Sequence, residues 1–326
     1  MQFKHILVTG GEGFVGKYLI PALQQAAPDS ILTMTRRSEG SGTTSAAQDR
    51  HSGPSTWVTL DIANPDPTDH LVKTARPDLV IHLAAQSALE AGTSAAQTWS
   101  TNVGGTMALA TAVARHTPNA TVLNISSAEV YGQSFDEGPA QETTALHPTS
   151  VYGRTKAAAE AAFSDILPLS ARLICARPFN HTGAGQSERF IVPAFAAQIA
   201  RIERGEQQPV IKVGNLSSQR DFLDVRDVVA AYLALISHSP ALPQRSIFNI
   251  ASGKAIQMSD ILARLLAMTT VPIDVETDPG KFRSSDIACA LGDASALRAA
   301  TGWAPQSDMD LILHHVLTDK RKEMRA

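Results

Sequence analysis

A tyrosine and a lysine four residues apart are the side chains whose types and spacing most clearly predict chemistry in this sequence. Tyr152 and Lys156 lie in SVYGRTKAAAEAAF (150–163), a segment of strongly helical composition. Residues four apart on a helix share a face, so the ammonium would lie one turn from the phenol. A nearby positive charge lowers the pKa of a phenol, which is ordinarily about 10. The pair therefore predicts a general acid–base group that exchanges a proton with a substrate oxygen.

Ser127 is expected to hold the same substrate oxygen. It ends ATVLNISS (120–127), which reads as a strand, 25 residues before Tyr152. A hydroxyl at this place would give a developing alkoxide a second hydrogen-bond donor. A tyrosine and a lysine at helical spacing are also common on ordinary protein surfaces. The chemical interpretation therefore depends on their combination with this serine and with a glycine-rich turn upstream.

The N-terminal segment HILVTGGEGFVGKYLI (5–20) predicts a strand, a tight turn and a helix in that order. The spacing of Gly10, Gly13 and Gly16 allows a tight turn, approach of a phosphate to backbone N–H groups, and close packing of helix on strand. The start of the helix would direct free N–H groups and the positive end of its dipole at a pyrophosphate. The segment predicts a dinucleotide site, and a glycine-rich turn without a ligand is the alternative.

Two arginines at the end of the second predicted strand favour NADP(H) over NAD(H). SILTMTRR (30–37) delivers Arg36 and Arg37 to the place where an NAD site usually has a carboxylate for the ribose 2′-hydroxyl. Guanidinium groups there bind a 2′-phosphate instead. Two exposed loop arginines are the alternative interpretation. The small polar residues 38–56 that follow predict a mobile surface loop.

Two further apolar runs predict strands that end at the same edge. WVTLDI (57–62) contains Asp61 near its end, which either accepts a hydrogen bond from the adenine amine or caps the next turn. DLVIHLAAQ (78–86) is typical of a buried parallel strand, in which His82 is interpreted as a structural group. The carboxyl ends of parallel strands lie together, and ligands of open α/β sheets bind there.

The succession of strands and helices predicts an α/β protein, a doubly wound parallel Rossmann sheet with a smaller interleaved α/β lobe for the substrate. Residues 94–116 predict an alanine-rich helix, and ARLICARPFN (171–180) predicts the sixth strand. SIFNIAS (246–252) is expected to return a strand to the sheet. The predicted Rossmann domain comprises residues 1–179 and 224–250, and the predicted substrate lobe comprises residues 180–223 and 251–326.

The composition argues against several other classes of protein. The 326 residues carry a net charge of −3 and no dense basic run apart from the C-terminal DKRKEMR, so no nucleic-acid partner is expected. No apolar stretch approaches the roughly 20 residues of a membrane span, and no targeting segment is recognised. Cys175 and Cys289 are too few for a disulfide framework, and no metal-ligand spacing accompanies them. A reducing cytoplasm and a site without metal are expected.

The motifs TGGEGFVG, LDI, HLAAQS, SSAEVYG, YGRTK, RPFN and QRDFLDVRDV follow one another along nearly the whole chain. In this order they resemble the extended short-chain dehydrogenases/reductases, in particular the branch that acts on nucleotide sugars. Thr155 replaces the serine usual in the YGRTK motif, while the tyrosine and the lysine are kept. The resemblance implies an NADP(H)-dependent homodimeric enzyme. Its implied cofactor contacts are Gly10, Gly13, Phe14, Val15, Gly16, Arg36, Arg37, Asp61, Ile62, Leu83, Ala84, Ala85, Asn102, Tyr152, Lys156 and Phe179.

The C-terminal half resembles the members of this branch that bind GDP-linked sugars. KVGNLSSQRDFLDVRDVVAAY carries this likeness, and by it Asn180, Arg220 and Arg283 would hold the sugar diphosphate. A dianionic diphosphate suits guanidinium groups. Gln86 and Ser127 are the other implied substrate contacts. For Arg220, an ion pair with one of the nearby aspartates is the competing interpretation.

The resemblance implies NADPH-dependent reduction of the C4 ketone of GDP-4-dehydro-6-deoxy-D-mannose to GDP-D-rhamnose or its talose epimer. Tyr152, tuned by Lys156 and aided by Ser127, would protonate the oxygen. The alternative is a GDP-mannose 4,6-dehydratase, in which Glu129 would be the catalytic base for the C5 proton. A third alternative is a non-catalytic NADP-binding regulator, but such proteins usually lack the tyrosine and the lysine that this sequence keeps.

Overall fold

The computed structural model describes residues 2–37, 54–87, 94–278, 280 and 287–324. The strands of its central sheet are β1 (His5–Thr9), β2 (Ile31–Arg36), β3 (Ser55–Thr59), β4 (Leu79–His82), β5 (Thr121–Ile125), β6 (Arg172–Pro178) and β10 (Arg245–Ile250). They lie in the order β10-β6-β5-β4-β1-β2-β3, and every neighbouring pair is parallel. This seven-stranded parallel sheet confirms the predicted Rossmann fold.

The central strands form from short apolar runs that are buried on both faces. Every residue of β4 and β5 is buried, as expected for parallel strands covered by helices on both sides. His82 in β4 contacts the hydroxyl of Thr9 at 2.7 Å and the hydroxyl of Thr106 at 3.2 Å. Burial, together with the positive charge of Lys156, lowers the pKa of this imidazole to about 3. His82 is thus a neutral, hydrogen-bonded group inside the sheet.

Helices cover both faces of the sheet. On one face lie α1 (Phe14–Ala26) and α7 (Val225–His238), and on the other lie α2 (Pro65–Ala75), α4 (Gly105–His116) and α5 (Val151–Ile166). The single helix predicted at 94–116 is instead divided into α3 (Ala95–Trp99), a π-helical turn (Ser100–Gly104) and α4. Such π-helical turns are rare and occur frequently at functional sites.

A second, smaller group of elements follows β6. One small sheet contains β7 (Asn180–Thr182), β9 (Gln219–Asp224), β11 (Ala255–Gln257) and β13 (Cys289–Ala290), while β8 (Val210–Val213) pairs with β12 (Asp274–Thr277). The helices α6 (Ile191–Glu203), α8 (Met258–Leu266) and α10 (Met309–Glu323) share a separate apolar core, and α9 (Ser295–Thr301) packs on α7. The strand β10 belongs to the large sheet, whereas β9 and β11, the strands before and after it in the sequence, belong to the small sheet. The chain therefore crosses between the two groups. The exact domain boundaries stay a prediction.

The surface loop predicted at 38–56 lies mostly outside the described residues, since residues 38–53 are not described. Its last two residues, Ser55 and Thr56, belong to β3, so the predicted loop extended too far. Across the part of the chain that the structure describes, no helix has both the length and the apolar character needed to cross a membrane.

Replacing Gly16 by alanine should destabilise the fold. An added Cβ would lie 2.1 Å from the carbonyl oxygen of Gly11, a backbone atom that cannot yield without deforming the turn. We expect Gly16→Ala to lower the free energy of unfolding by at least about 1–3 kcal/mol. Gly104→Ala is the matched control, because its added Cβ meets no described atom within 4 Å. Urea titration measures both variants, and equal stabilities would contradict this close packing.

Candidate active site

The carboxyl ends of the parallel strands border a cavity of about 530 Å³, a size typical of ligand sites. The sequence-predicted residues that line it are Gly10, Gly13, Phe14, Val15, Gly16, Arg36, Arg37, Asp61, Ile62, Leu83, Ala84, Ala85, Ser127, Glu129, Tyr152, Lys156, Phe179 and Asn180. They come from segments far apart in the sequence, which the sheet brings to one edge because its strands are parallel. Their roles in binding and catalysis stay predictions.

The glycine turn after β1 is closed by contacts that admit no side chain. Gly10 has a φ of +70°, and a Cβ there would lie 2.7 Å from the backbone of Ala84 at the end of β4. Gly13 directly precedes α1, whose first turn holds no acidic side chain. The start of α1 therefore faces the cavity with its amide groups and positive dipole end, an arrangement that fits an anionic phosphate.

The end of the cavity beside β2 and β3 carries the two arginines. Within the described residues, the buried Nε of Arg36 has no hydrogen-bond partner. A buried guanidinium nitrogen is costly without an acceptor, so its placement fits an anionic ligand group. Arg37 is exposed and its backbone N–H donates to the Glu12 carboxylate at 2.8 Å. Asp61 accepts a hydrogen bond from the backbone of Ala63 at 3.1 Å, which is the capping alternative.

Tyr152, Lys156 and Ser127 meet beside β5. The Lys156 ammonium donates to the carbonyl oxygen of Ile125 at 2.7 Å and lies 5.8 Å from the centre of the Tyr152 ring. The phenol of Tyr152 forms a side-chain hydrogen bond with Ser127. The helix α5 carries Tyr152 and Lys156, and Ser127 lies two residues after the end of β5. The three groups therefore have the arrangement needed to hold and protonate one substrate oxygen.

The pKa of Tyr152 departs from the sequence-based expectation. Burial removes the phenol from water and the carboxylate of Glu129 adds negative charge, so the pKa rises well above 10, although the hydrogen bond with Ser127 opposes this rise. The lowering expected from Lys156 and a bound nicotinamide ring is therefore not present in the protein alone, and helical spacing does not reveal the desolvation that raises this pKa. Burial also lowers the pKa of Lys156 to about 8, while the carboxylate of Glu160 opposes that shift.

Glu129 lines the cavity and is hydrogen-bonded to the residue that caps the start of α5. Its carboxylate accepts a hydrogen bond from the Ser150 hydroxyl at 2.7 Å. The same hydroxyl caps α5 by accepting from the backbone N–H of Gly153 at 2.9 Å. The carboxylate is thus fixed beside Tyr152, where it can act on a substrate or tune the phenol.

Asn102 and Gln86 are buried, and neither is among the described residues that line the cavity. The side-chain oxygen of Asn102 accepts from the backbone N–H of Gln86 at 2.7 Å, and its amide nitrogen donates to the hydroxyl of Thr155 at 3.0 Å. The side chain of Gln86 accepts from the hydroxyl of Thr98 at 2.8 Å. Through these hydrogen bonds the two residues connect the segment after β4 to α5, outside the cavity lining.

Of the two predicted diphosphate arginines, Arg220 is among the residues that the structure describes. Arg220 donates to the carbonyl oxygens of Gln219 and Ile287 at 2.8 and 2.7 Å, outside the cavity lining. Its neighbour Asp221 accepts a hydrogen bond from the backbone N–H of Ser252 at 2.7 Å. Arg283 lies outside the described residues, four positions before Ile287 in the sequence. The proposed diphosphate contacts stay predictions.

Several residues that line the cavity were not predicted from the sequence, among them Glu12, Thr35, His181, Gln186, Phe190 and Tyr232. The position of His181 just after Asn180, at the end of the sixth predicted strand, was an available signal. Its ring stacks on that of Phe14, with centroids 6.2 Å apart and an interplanar angle of 4°. Tyr232 lies in the middle of an apolar helix, where no sequence pattern marks it.

A buried ion pair joins two of the elements that border the site, β6 and α5. Arg177 on β6 donates to the carboxylate of Glu160 on α5 at 2.7 and 3.0 Å, and Glu160 also accepts from the Ser126 hydroxyl. Arg177 further contacts the hydroxyl of Tyr131 at 3.0 Å, which donates to Asn249 on β10 at 2.7 Å. Hydrogen bonds with Glu160 hold the pKa of Arg177 above its usual value, although burial opposes this.

A protein-family model described as GDP-mannose 4,6 dehydratase matches residues 7–316. The chain belongs to this family. Membership confirms the extended short-chain dehydrogenase/reductase assignment and an NAD(P)-dependent sugar-nucleotide enzyme as the class of protein.

Individual relatives of this dehydratase-family chain are reductases and dehydrogenases as well. It is 32% identical to the GDP-6-deoxy-D-mannose reductase of Pseudomonas aeruginosa, over 99% of each chain. It is 26% identical to the GDP-6-deoxy-D-talose 4-dehydrogenase of Aggregatibacter actinomycetemcomitans, over 91% of each chain. The structure of RMD from Pseudomonas aeruginosa complexed with NADPH superposes with a TM-score of 0.79 at 30% identity, covering 98% of this chain and 100% of the other.

The depressed pKa of Lys156 should be visible in the pH dependence of stability. The folded protein loses this proton near pH 8, whereas the unfolded chain keeps it up to about pH 10.5. Between these values the unfolded state binds more protons, so the free energy of unfolding should rise with pH. Lys156→Met removes this contribution. Urea titrations of both proteins from about pH 7 to about pH 10 measure the difference, and parallel profiles would show that the ammonium is not desolvated.

Proposed function

We propose that this protein reduces the C4 ketone of GDP-4-dehydro-6-deoxy-D-mannose with a nicotinamide cofactor, giving GDP-D-rhamnose or its talose epimer. The observation that carries the proposal is the meeting of Tyr152, Lys156 and Ser127 in one cavity behind a glycine turn. The similarity to the GDP-6-deoxy-D-mannose reductase over the full length supports the choice of substrate.

The protonation state of Tyr152 suits the direction of reduction. A ketone that accepts hydride becomes an alkoxide and needs a proton, so its catalyst must begin as a neutral acid. The raised pKa keeps the phenol protonated at neutral pH. Ser127 donates to the same oxygen, and the ammonium of Lys156 stabilises the phenolate that remains. These residues therefore bind the carbonyl, orient it and supply its proton.

A bound nicotinamide cofactor would supply the hydride. The backbone at Gly10 and Gly13 and the start of α1 would hold its pyrophosphate. We infer a preference for NADP(H), because Arg36 and Arg37 line the cavity at the end of β2, where the ribose 2′-phosphate would lie. The structurally similar RMD protein is complexed with NADPH, which supports this preference.

The remaining parts of the proposal concern the second lobe and the assembly. Asn180 lines the cavity and would contact the substrate, while Gln86, Arg220 and Arg283 stay predicted substrate contacts. A cytoplasmic homodimer without a nucleic-acid or membrane partner also stays a prediction.

A GDP-mannose 4,6-dehydratase is the second candidate, and the fixed carboxylate of Glu129 in the cavity favours it. Elimination of water requires a base for the C5 proton, and this carboxylate lies beside Tyr152. The two activities separate in one assay. The reductase consumes one NADPH per GDP-4-dehydro-6-deoxy-D-mannose and leaves GDP-mannose unchanged. Conversion of GDP-mannose without net cofactor consumption would contradict the proposed reductase, and inactivity on both would support a non-catalytic regulator.

Tyr152→Phe should remove catalysis and spare cofactor binding. The variant loses the proton donor, so we expect kcat to fall by about 10²- to 10⁴-fold. The dissociation constant for NADPH should be nearly unchanged, because the ring stays in place. Absorbance of NADPH measures turnover, and its fluorescence measures binding. A variant with normal turnover would remove Tyr152 from the mechanism.

Replacing Arg36 and Arg37 by alanine should weaken NADPH much more than NADH. Each charge-assisted contact with the 2′-phosphate contributes about 1.5–3 kcal/mol, so the NADPH dissociation constant should rise at least about tenfold. NADH lacks this phosphate and should lose little affinity. Arg264→Ala, which removes an exposed arginine paired with Asp310, is the matched control. Equal losses for both cofactors would contradict the proposed phosphate contact.

A further inference from the structure

A second phenol lies in the cavity, and the proton transfer described above does not use it. Tyr232 is fully buried in α7 and is one of the residues that line the cavity. Within the part of the chain that the structure describes, its hydroxyl has no hydrogen-bond partner. Buried hydroxyl groups in proteins are nearly always hydrogen-bonded, so this one calls for an acceptor.

The surroundings of Tyr232 do not explain the hydroxyl. The ring packs in the apolar core that α7 shares with α1 and the sheet, among side chains such as Val228 and Leu235. A phenylalanine would fill this space equally well and would leave no polar group without a partner. By contrast, the buried hydroxyl of Tyr131 is fully used, since it donates to Asn249 and accepts from Arg177. The cavity is thus the side of Tyr232 that can offer an acceptor.

The position of α7 in the fold shows which part of a dinucleotide would come near. This helix packs against α1 and β6. Ser127 follows β5 and Phe179 follows β6, whereas Arg36 and Asp61 lie at β2 and β3, on the opposite side of β1 and β4. In a doubly wound sheet the two halves bind the two halves of the dinucleotide. Tyr232 therefore belongs to the half of the cavity that holds the reacting ring.

The hydroxyl of Tyr232 is a donor at every working pH. Burial raises its pKa far above 10, and the neighbouring phenol of Tyr152 raises it further. A neutral phenol donates one hydrogen bond and suits an oxygen acceptor.

We propose that Tyr232 is a further cofactor-binding residue, whose hydroxyl donates a hydrogen bond to an oxygen of the nicotinamide half of the bound dinucleotide. The amide oxygen of the ring, the adjoining ribose and its phosphate all provide such acceptors. This inference rests on the cofactor assigned in the proposed function, but not on the identity of the sugar.

The test compares Tyr232→Phe with the wild type in binding measurements without sugar. Loss of one neutral hydrogen bond should raise the NADPH dissociation constant about 2- to 12-fold. Adenosine 2′,5′-bisphosphate, which carries only the adenine half, should bind both proteins equally. The midpoint of thermal unfolding without cofactor should not fall, because the hydroxyl has no hydrogen-bond partner among the described residues. The additional stabilisation by saturating NADPH should be smaller.

Tyr131→Phe is the matched control, since it removes a buried hydroxyl that is bonded and lies outside the cavity lining. It should lower the unfolding midpoint without cofactor, in contrast to Tyr232→Phe. Equal NADPH binding by Tyr232→Phe and the wild type would overturn the inference, and so would an equal loss for both ligands. A wild type that binds NADPH but does not reduce GDP-4-dehydro-6-deoxy-D-mannose would contradict only the proposed function.

Discussion

The buried ion pair between Arg177 and Glu160 is the interaction on which the geometry of the catalytic edge depends. It joins β6 to α5, and Glu160 also accepts from Ser126 at the end of β5. The helix that carries Tyr152 and Lys156 is thereby fixed against two strands at once. Removing one partner of such a pair leaves a buried charge uncompensated, at a cost of about 3–5 kcal/mol. The stability of the fold and the alignment of the catalytic groups therefore rest on the same contacts.

The same network extends toward the second group of strands. Arg177 reaches Tyr131, which donates to Asn249, and the amide of Asn249 donates to the carbonyl oxygens of Ala140 and Asp293. Because every one of these side chains is hydrogen-bonded, the buried polar network makes this part of the structure rigid and adds no strain. The proposed proton donor Tyr152 would therefore lie on a rigid edge of the site.

Burial decides the electrostatics of the site. Sequence spacing places an ammonium beside a phenol and so predicts a lowered phenol pKa, but desolvation and the carboxylate of Glu129 outweigh that effect. The fold also assigns Asn102 and Gln86 to hydrogen bonds behind the cavity wall, although their sequence motifs imply ligand contacts. Tyr232 lines the cavity although it lies in an apolar helix, whose sequence pattern does not indicate a ligand contact. Each of these features depends on neighbours that are distant in the sequence.

The sequence by itself determined the parallel sheet, the glycine turn, and which residues lie at the ends of the strands. These features follow from local periodicity and from the rule that the carboxyl ends of parallel strands lie at one edge of the sheet. It also determined that Tyr152 and Lys156 share a helix face, since that depends only on their spacing. Only the tertiary structure decided which strand-end side chains face the cavity and how strongly each is desolvated. Those properties arise from packing between segments, and packing is not encoded in any single stretch of the chain.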